Sequence, residues 1–250
     1  MRGALDGRVA VVTGASSGIG EAAAEALARE GATVAVAARR LDRLEELTKR
    51  ISDEGGRAET FEVDVADEDE ARGLILDSEE KLGGLDILIN NAGLMLLGPV
   101  QGADTEEWRR MVDVNCLGLL YCTHAALPVM QQRGGGHIVN VSSVAGRQAD
   151  LGSAVYNMTK WGVVGFSEAL RQEALHSNIR VTVVEPGFVA TELHGHNKLP
   201  VVVEGVEKMR SQIGDVLEAE DIADAIAYVV TRPERVDVNE ILIRPTRQRR

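Results

Sequence analysis

Short runs of Val, Ile and Leu alternate along the chain with longer stretches whose apolar residues recur every three or four positions. R-V-A-V-V-T (8–13) reads as a buried strand and G-I-G-E-A-A-A-E-A-L-A-R-E (18–30) as an Ala-rich helix. A second strand follows at 32–37, a helix at 41–51, a third strand within 57–64, a helix at 67–82 and a fourth strand at 85–90. A long helix covers roughly 105–133, and a fifth strand 136–142. The remainder predicts a helix over 153–178, a strand over 179–185, a helix near 220–231 and a last strand over 240–244. Seven short strands with helices between them predict an α/β fold. It is one doubly wound domain over 1–250, a seven-stranded parallel sheet with helices on both faces and right-handed crossovers. Residues 190–218 break the rhythm and read as an irregular substrate-binding loop or lid.

Composition narrows the picture. Hydrophobic residues make up 44% of the 250 but aromatics only 3%, so the core is aliphatic, as in a buried parallel sheet. Net charge is −12, from 27 basic and 39 acidic residues. That argues against a nucleic-acid partner and against docking on an anionic membrane. The basic end R-P-T-R-Q-R-R is a local exception and reads as a solvated or interface tail. No signal peptide and no membrane-length apolar run is visible. Cys116 and Cys122 fit neither a redox pair nor a zinc knuckle, and reduced thiols of a cytoplasmic protein are expected.

The first strand runs into T-G-A-S-S-G-I-G (13–20). Gly14 allows a tight turn, Gly18 lets a pyrophosphate approach the helix N-terminus, and Gly20 lets that helix pack closely. The spacing is G-x-x-x-G-x-G rather than G-x-G-x-x-G, but its strand–turn–helix setting points to a dinucleotide. An NAD site usually carries an acid at the end of the second strand. Here that place reads Ala37, Ala38, Arg39, Arg40. Arg39, with Arg40 or Ser16 assisting, can pair a 2′-phosphate, which predicts NADP(H); the alternative is that both arginines merely open a solvated helix.

Tyr156 and Lys160 lie four apart on one helical face. A nearby ammonium and a positively charged nicotinamide would lower the phenol pKa from its usual ~10 and make it a proton donor for hydride chemistry. The same spacing also occurs on ordinary amphipathic helices. Ser143 closes the fifth strand, where a hydroxyl can bond a substrate carbonyl. Asn115 sits mid-helix, where Asn is disfavoured. It can hold a water bridging to Lys160, or simply kink the helix. Met95, Leu96 and Leu97 can line the pocket or pack the core. His194 and His196 form a lone H-x-H that is too sparse for a metal.

Together these segments resemble the short-chain dehydrogenase/reductase family, a Rossmann-type fold. T-G-A-S-S-G-I-G, D-V (64–65), N-N-A-G (90–93), Asn115, V-S-S (141–143), Y-N-M-T-K (156–160) and E-P-G-F-V-A-T (185–191) occur in the family's order. The resemblance implies a catalytic set of Asn115, Ser143, Tyr156 and Lys160, with Tyr156 as acid/base and Lys160 also on the nicotinamide ribose. It implies cofactor contacts from Gly14, Ser16, Ser17, Gly18, Ile19 and Gly20, and adenine contacts from Asp64 and Val65. Asn91, Ala92 and Gly93 would line the adenosine side, and Pro186, Gly187, Val189 and Thr191 the nicotinamide side. The family's usual glycine pair after the last strand is replaced by V-N-E-I-L-I-R-P-T. That ending, with N-N-A-G-L-M-L-L-G-P-V (90–100), is similar to the clavulanic acid dehydrogenase group of NADPH-dependent aldehyde reductases. The expected function is reduction of a small-molecule aldehyde or ketone, in secondary metabolism or otherwise. A β-ketoacyl or polyketide reductase, a sugar or steroid carbonyl reductase, and a non-catalytic NADP-binding regulator are the alternatives. The resemblance also implies a homodimer or homotetramer, with its dimer contact on the helices at 105–133 and 153–178 and its tetramer contact in doubt because of the altered ending.

Overall fold

The computed structural model describes residues 3–249. Seven parallel strands form one sheet in the order β3-β2-β1-β4-β5-β6-β7. They are β1 (Val9–Thr13), β2 (Thr33–Ala38), β3 (Arg57–Glu62), β4 (Ile87–Asn90), β5 (Gly136–Val141), β6 (Ile179–Pro186) and β7 (Glu240–Ile243). β1 and β4 are buried along their whole length, as their unbroken aliphatic runs require. β3 and β7 sit at the two edges and alternate between more and less exposed positions.

The helices are α1 (Gly18–Arg29), α2 (Leu41–Asp53), α3 (Glu68–Leu82), α4 (Thr105–Val112), α5 (Leu119–Gln132), α6 (Ala154–Ala174), α7 (Pro200–Ile213) and α8 (Ala219–Val230). One core lies between the sheet and α1, α2 and α8, with Leu27, Leu44 and Ile222 fully buried in it. A second lies on the opposite face, where Leu74 and Ile75 of α3, Cys122 and Met130 of α5 and Leu170 of α6 meet the sheet.

Two expectations need correction. The helix predicted over 105–133 is α4 and α5 joined by a π-helical turn, Asp113–Gly118, with Asn115 inside it. The join matches a side chain whose hydrogen bonds lead away from the helix, described below. The stretch 105–132 is long and apolar enough by composition to cross a membrane, yet Cys122, Ala126, Val129 and Met130 spend its apolar face on the second core. Residues 190–218 are not irregular throughout. They carry α7, which begins at Pro200 and has Val202, Val206, Met209 and Ile213 at helical spacing.

Chain order along the sheet reverses between β1 and β4, because β2 and β3 lie to one side and β5 to β7 to the other. A crevice at the carboxyl ends of the strands is expected there.

Candidate active site

That crevice is a continuous cleft of about 1220 Å³. Every site residue expected from the sequence lines it except Gly20 and Asn115, which lie behind its wall. The turn after β1 is shaped by close approach. Gly14 has φ +67, and a Cβ there would come within 2.8 Å of the Ala92 backbone. A Cβ at Gly20 would lie 2.4 Å from both the Gly14 carbonyl oxygen and the Asn91 amide nitrogen. Thr13, which the sequence did not single out, ties the two central strands. Its hydroxyl donates to Ile89 O (3.2 Å) and accepts from the backbone N–H groups of Asn91 (3.0 Å) and Ala92 (3.1 Å). Asn91 is a structural brace here, donating its side-chain amide to Thr13 O at 3.0 Å.

α1 starts at this turn, and its N-cap residue, Ser17, makes no side-chain capping bond. The first-turn N–H groups thus face the cleft unmatched by a cap, and the helix dipole adds positive potential. A dinucleotide pyrophosphate fits that chemistry.

The end of β2 carries guanidinium groups and no carboxylate, which fits NADP(H) rather than NAD(H). The two arginines differ in placement. Arg40 folds over the phosphate turn, donating to Ser16 Oγ (2.9 Å) and Ser17 Oγ (2.8 Å). Arg39 reaches the other way, 3.6 Å from Asp64. Glu192, from the segment after β6, crosses to this side. It accepts from Arg40 at 2.8 Å and Arg43 at 2.7 Å, and the two guanidinium groups hold its carboxyl down to about 2.

On the other side of the crevice, Ser143 follows β5, and its Oγ accepts from Ala145 N at 3.1 Å. Tyr156, on the first turn of α6, is 6% exposed and lines the same cleft as Ser143. Lys160, one turn on, donates from Nζ to Val141 O at 2.9 Å and lies 5.9 Å from the Tyr156 ring centre. Asn115 accepts from Leu94 N (2.7 Å) and donates to Leu94 O (2.8 Å) and Thr159 Oγ1 (3.1 Å). A Cβ on Gly93 would meet Asn115 Oδ1 at 3.6 Å and Lys160 Nζ at 3.7 Å, so these groups converge on the N-N-A-G segment.

In the protein alone, burial acts against the acidity expected of this phenol. Burial pushes Tyr156 up to about 12, and the neighbouring Ser143 only partly offsets that. Burial likewise holds the Lys160 ammonium down to about 8. The low-dielectric floor penalises both charged forms, and the ammonium alone does not overcome it.

Of the apolar trio, Met95 and Leu97 line the cleft; Met95 also packs with Leu94, Met111 and Tyr156, so it serves both purposes. His194 stacks on Phe188 with ring centres 4.2 Å apart. The sequence reading missed the flank made by Phe188, α7 and the tail residues Arg247, Gln248 and Arg249. The helical spacing of Val202, Val206, Met209 and Ile213 was the available signal for α7. Placement of the tail depends on long-range contacts that no local pattern reveals.

The sequence matches the short chain dehydrogenase family over residues 8–200. Glycine betaine reductase ATRR of Emericella nidulans is 45% identical over 245 residues, 98% of this chain; the chain spans 19% of that protein's length. An uncharacterized oxidoreductase of Staphylococcus saprophyticus is 40% identical over 243 residues, with 96% of this chain and 97% of that protein covered. Among solved structures, the closed form of serine dehydrogenase with NADP+ superposes with a TM-score of 0.87, at 34% identity and 96% coverage of both chains. An alcohol dehydrogenase of Thermococcus sibiricus complexed with 5-hydroxy-NADP gives 0.86, at 29% identity, covering 97% of this chain and 98% of that one.

Proposed function

We propose that this chain, which belongs to the short-chain dehydrogenase family, reduces a small aldehyde or ketone to its alcohol with Tyr156 as proton donor. It is an NADP(H)-dependent oxidoreductase acting on CH–OH and C=O groups. The observation that carries the proposal is that Ser143, Tyr156 and Lys160 line one cleft, with Lys160 one helical turn from Tyr156.

Bound NADPH supplies the hydride. Ser143 donates a hydrogen bond to the substrate carbonyl oxygen and orients it toward Tyr156. As charge develops on that oxygen, the Tyr156 hydroxyl gives up its proton to it. A phenol raised by burial remains protonated until an alkoxide, a far stronger base, forms beside it. The Lys160 ammonium then stabilises the phenolate left behind. Lys160 is held at the Val141 carbonyl and would also hold the cofactor ribose when NADP(H) is bound. Asn115 positions the Leu94 main chain and the first turns of α6. Arg40, with Arg39, would hold the 2′-phosphate, and residues 190–218 would cover the substrate.

The ending V-N-E-I-L-I-R-P-T and the segment N-N-A-G-L-M-L-L-G-P-V resemble the clavulanic acid dehydrogenase group, which supports an aldehyde substrate and a place in secondary metabolism. The similarity to glycine betaine reductase also supports a carbonyl on a short, polar molecule. Family membership supports a homo-oligomer with small-molecule substrates.

The test is NADPH oxidation against a panel of aldehydes, ketones and β-ketoesters, run with the native enzyme and with Tyr156→Phe. The native enzyme turns over aldehydes, and the variant binds NADPH without turnover. NADPH binding with no oxidation of any carbonyl by the native enzyme would favour a regulator instead. Robust turnover by Tyr156→Phe would end the role given to that residue.

A further inference from the structure

Carbonyl reduction leaves the rest of the substrate open, and the last residues of the chain bear on it. β7 pairs Ile243 with Pro186, and Gly187 N donates to Ile243 O at 2.7 Å. The chain then turns back. Gln248 N donates to Pro245 O at 2.9 Å, and Gln248 Oε1 accepts from Phe188 N at 2.8 Å. The fit is close, since a Cβ on Gly187 would sit 2.4 Å from that same oxygen. The tail is therefore fastened to the turn after β6.

This fastening brings Arg247 and Arg249 into the wall of the cleft that Tyr156 lines. A Cβ on Gly214, just past α7, would lie 3.8 Å from a guanidinium nitrogen of Arg247. The tail arginines thus stand beside Phe188 and the end of α7. Arg39, Arg40, Arg43 and Arg147 all have carboxylate partners in this acidic protein. Arg247 and Arg249 are exposed and make no ion pair among the described residues. The wall nearby is apolar, from Phe188, Met209 and Ile213, and the facing loop contributes one exposed carboxylate, Asp150.

We propose that Arg247 and Arg249 form an oxyanion-binding rim on the substrate half of the cleft, and that the substrate is a small oxo acid. Its carbonyl lies at Tyr156, a short apolar spacer follows, and a carboxylate or phosphate ends it. This rests on the carbonyl-reductase reading. Guanidinium forks bind both oxyanions, and a rim position gives orientation without the cost of a fully buried charge.

The experiment compares ω-oxo carboxylates of increasing chain length with the matching n-alkanals, the matching aldehyde phosphates and a trimethylammonium aldehyde. For the best-fitting length, kcat/KM for the oxyanion exceeds that for the alkanal by roughly ten-fold, the scale of one charge-assisted contact. That ratio collapses toward unity in R247Q/R249Q and shrinks as salt is added. The carboxylate and phosphate arms show which oxyanion the rim takes. Calorimetry of dicarboxylate binding to the NADP+ complex provides a readout without turnover. Reduction of alkanals as fast as oxo acids, or preference for the trimethylammonium compound, overturns the rim while leaving the reductase reading standing. Absence of any turnover, with dicarboxylate binding that R247Q/R249Q abolishes, keeps the rim and removes the reductase reading.

Discussion

Asn115 holds Leu94 by both of its main-chain polar groups, taking the N–H at 2.7 Å and giving to the carbonyl at 2.8 Å. The side chain acts as a short piece of sheet, inserted from a π-helical turn into the segment that follows β4. Its remaining amide hydrogen goes to Thr159, beside Lys160. One buried amide therefore fixes the N-N-A-G segment and α6 to each other.

Asn115→Leu preserves bulk and strands both Leu94 groups. Unfolding free energy falls by about 1–3 kcal/mol. We expect kcat to drop by more than KM for NADPH rises, because Lys160 loses its neighbour. Denaturant titration with steady-state kinetics checks both. A variant with native stability and native kcat would contradict the positioning role.

Arg40 is the arginine on the phosphate turn, so Arg40→Ala weakens NADPH binding by roughly ten- to a hundred-fold, the scale of lost charge-assisted bonds. Arg39→Asp places an acid at the end of β2 and moves preference toward NADH. The ratio of Kd values for NADPH and NADH in each variant is the measurement. An unchanged ratio in both would remove these residues from cofactor choice.

His137 supplies an acid-sensitive term. Its Nε2 lies 2.7 Å from Thr182 Oγ1, whose own proton goes to Val238 O at 2.6 Å, so Nε2 carries the hydrogen and the ring is neutral. Burial lowers its pKa from 6.5 to about 3. Unfolded chain therefore binds a proton that folded chain refuses between those values. The contribution is present above pH 6.5 and is lost as pH falls toward 3, by up to ~1.4 kcal/mol per pH unit. His137→Gln flattens the stability profile across that window, as measured by urea unfolding at several pH values.

Glu185 is fully buried and takes two bonds from Arg147, at 2.7 and 2.9 Å. The pair joins the loop after Ser143 to the end of β6, and Arg147 also reaches Glu240. Arg147→Met leaves a buried carboxylate without its cation. We expect a loss of about 3 kcal/mol, at the lower end of such cases because Arg147 is partly exposed. Arg147→Met with Glu185→Gln recovers part of it, and thermal unfolding of the single and double variants decides the point.

The sheet and the residues lining the cleft were legible because they rest on local patterns. The aliphatic runs at β1, β2 and β4 to β6 specify burial on both faces, and the glycine turn and the Tyr156–Lys160 spacing are short-range features. The π turn at Asn115 was not legible as a turn, since its cause is a partner twenty-one residues earlier. The spacing of Tyr156 and Lys160 places both on one helical face, but the burial of Tyr156 was not legible, because burial is a property of the assembled floor. The different directions of Arg39 and Arg40 were not legible, because strand position alone does not say which way a long side chain turns.

Glu192 lies across the groove with a guanidinium group on each of its oxygens. A dinucleotide phosphate arriving at Arg40 thus meets a resident anion already in possession. Binding there becomes an exchange of one anion for another, and added salt weakens the outgoing pair along with the incoming one. Ionic strength should consequently alter NADPH affinity less than a count of the arginines implies, and Glu192→Gln should restore the steeper dependence.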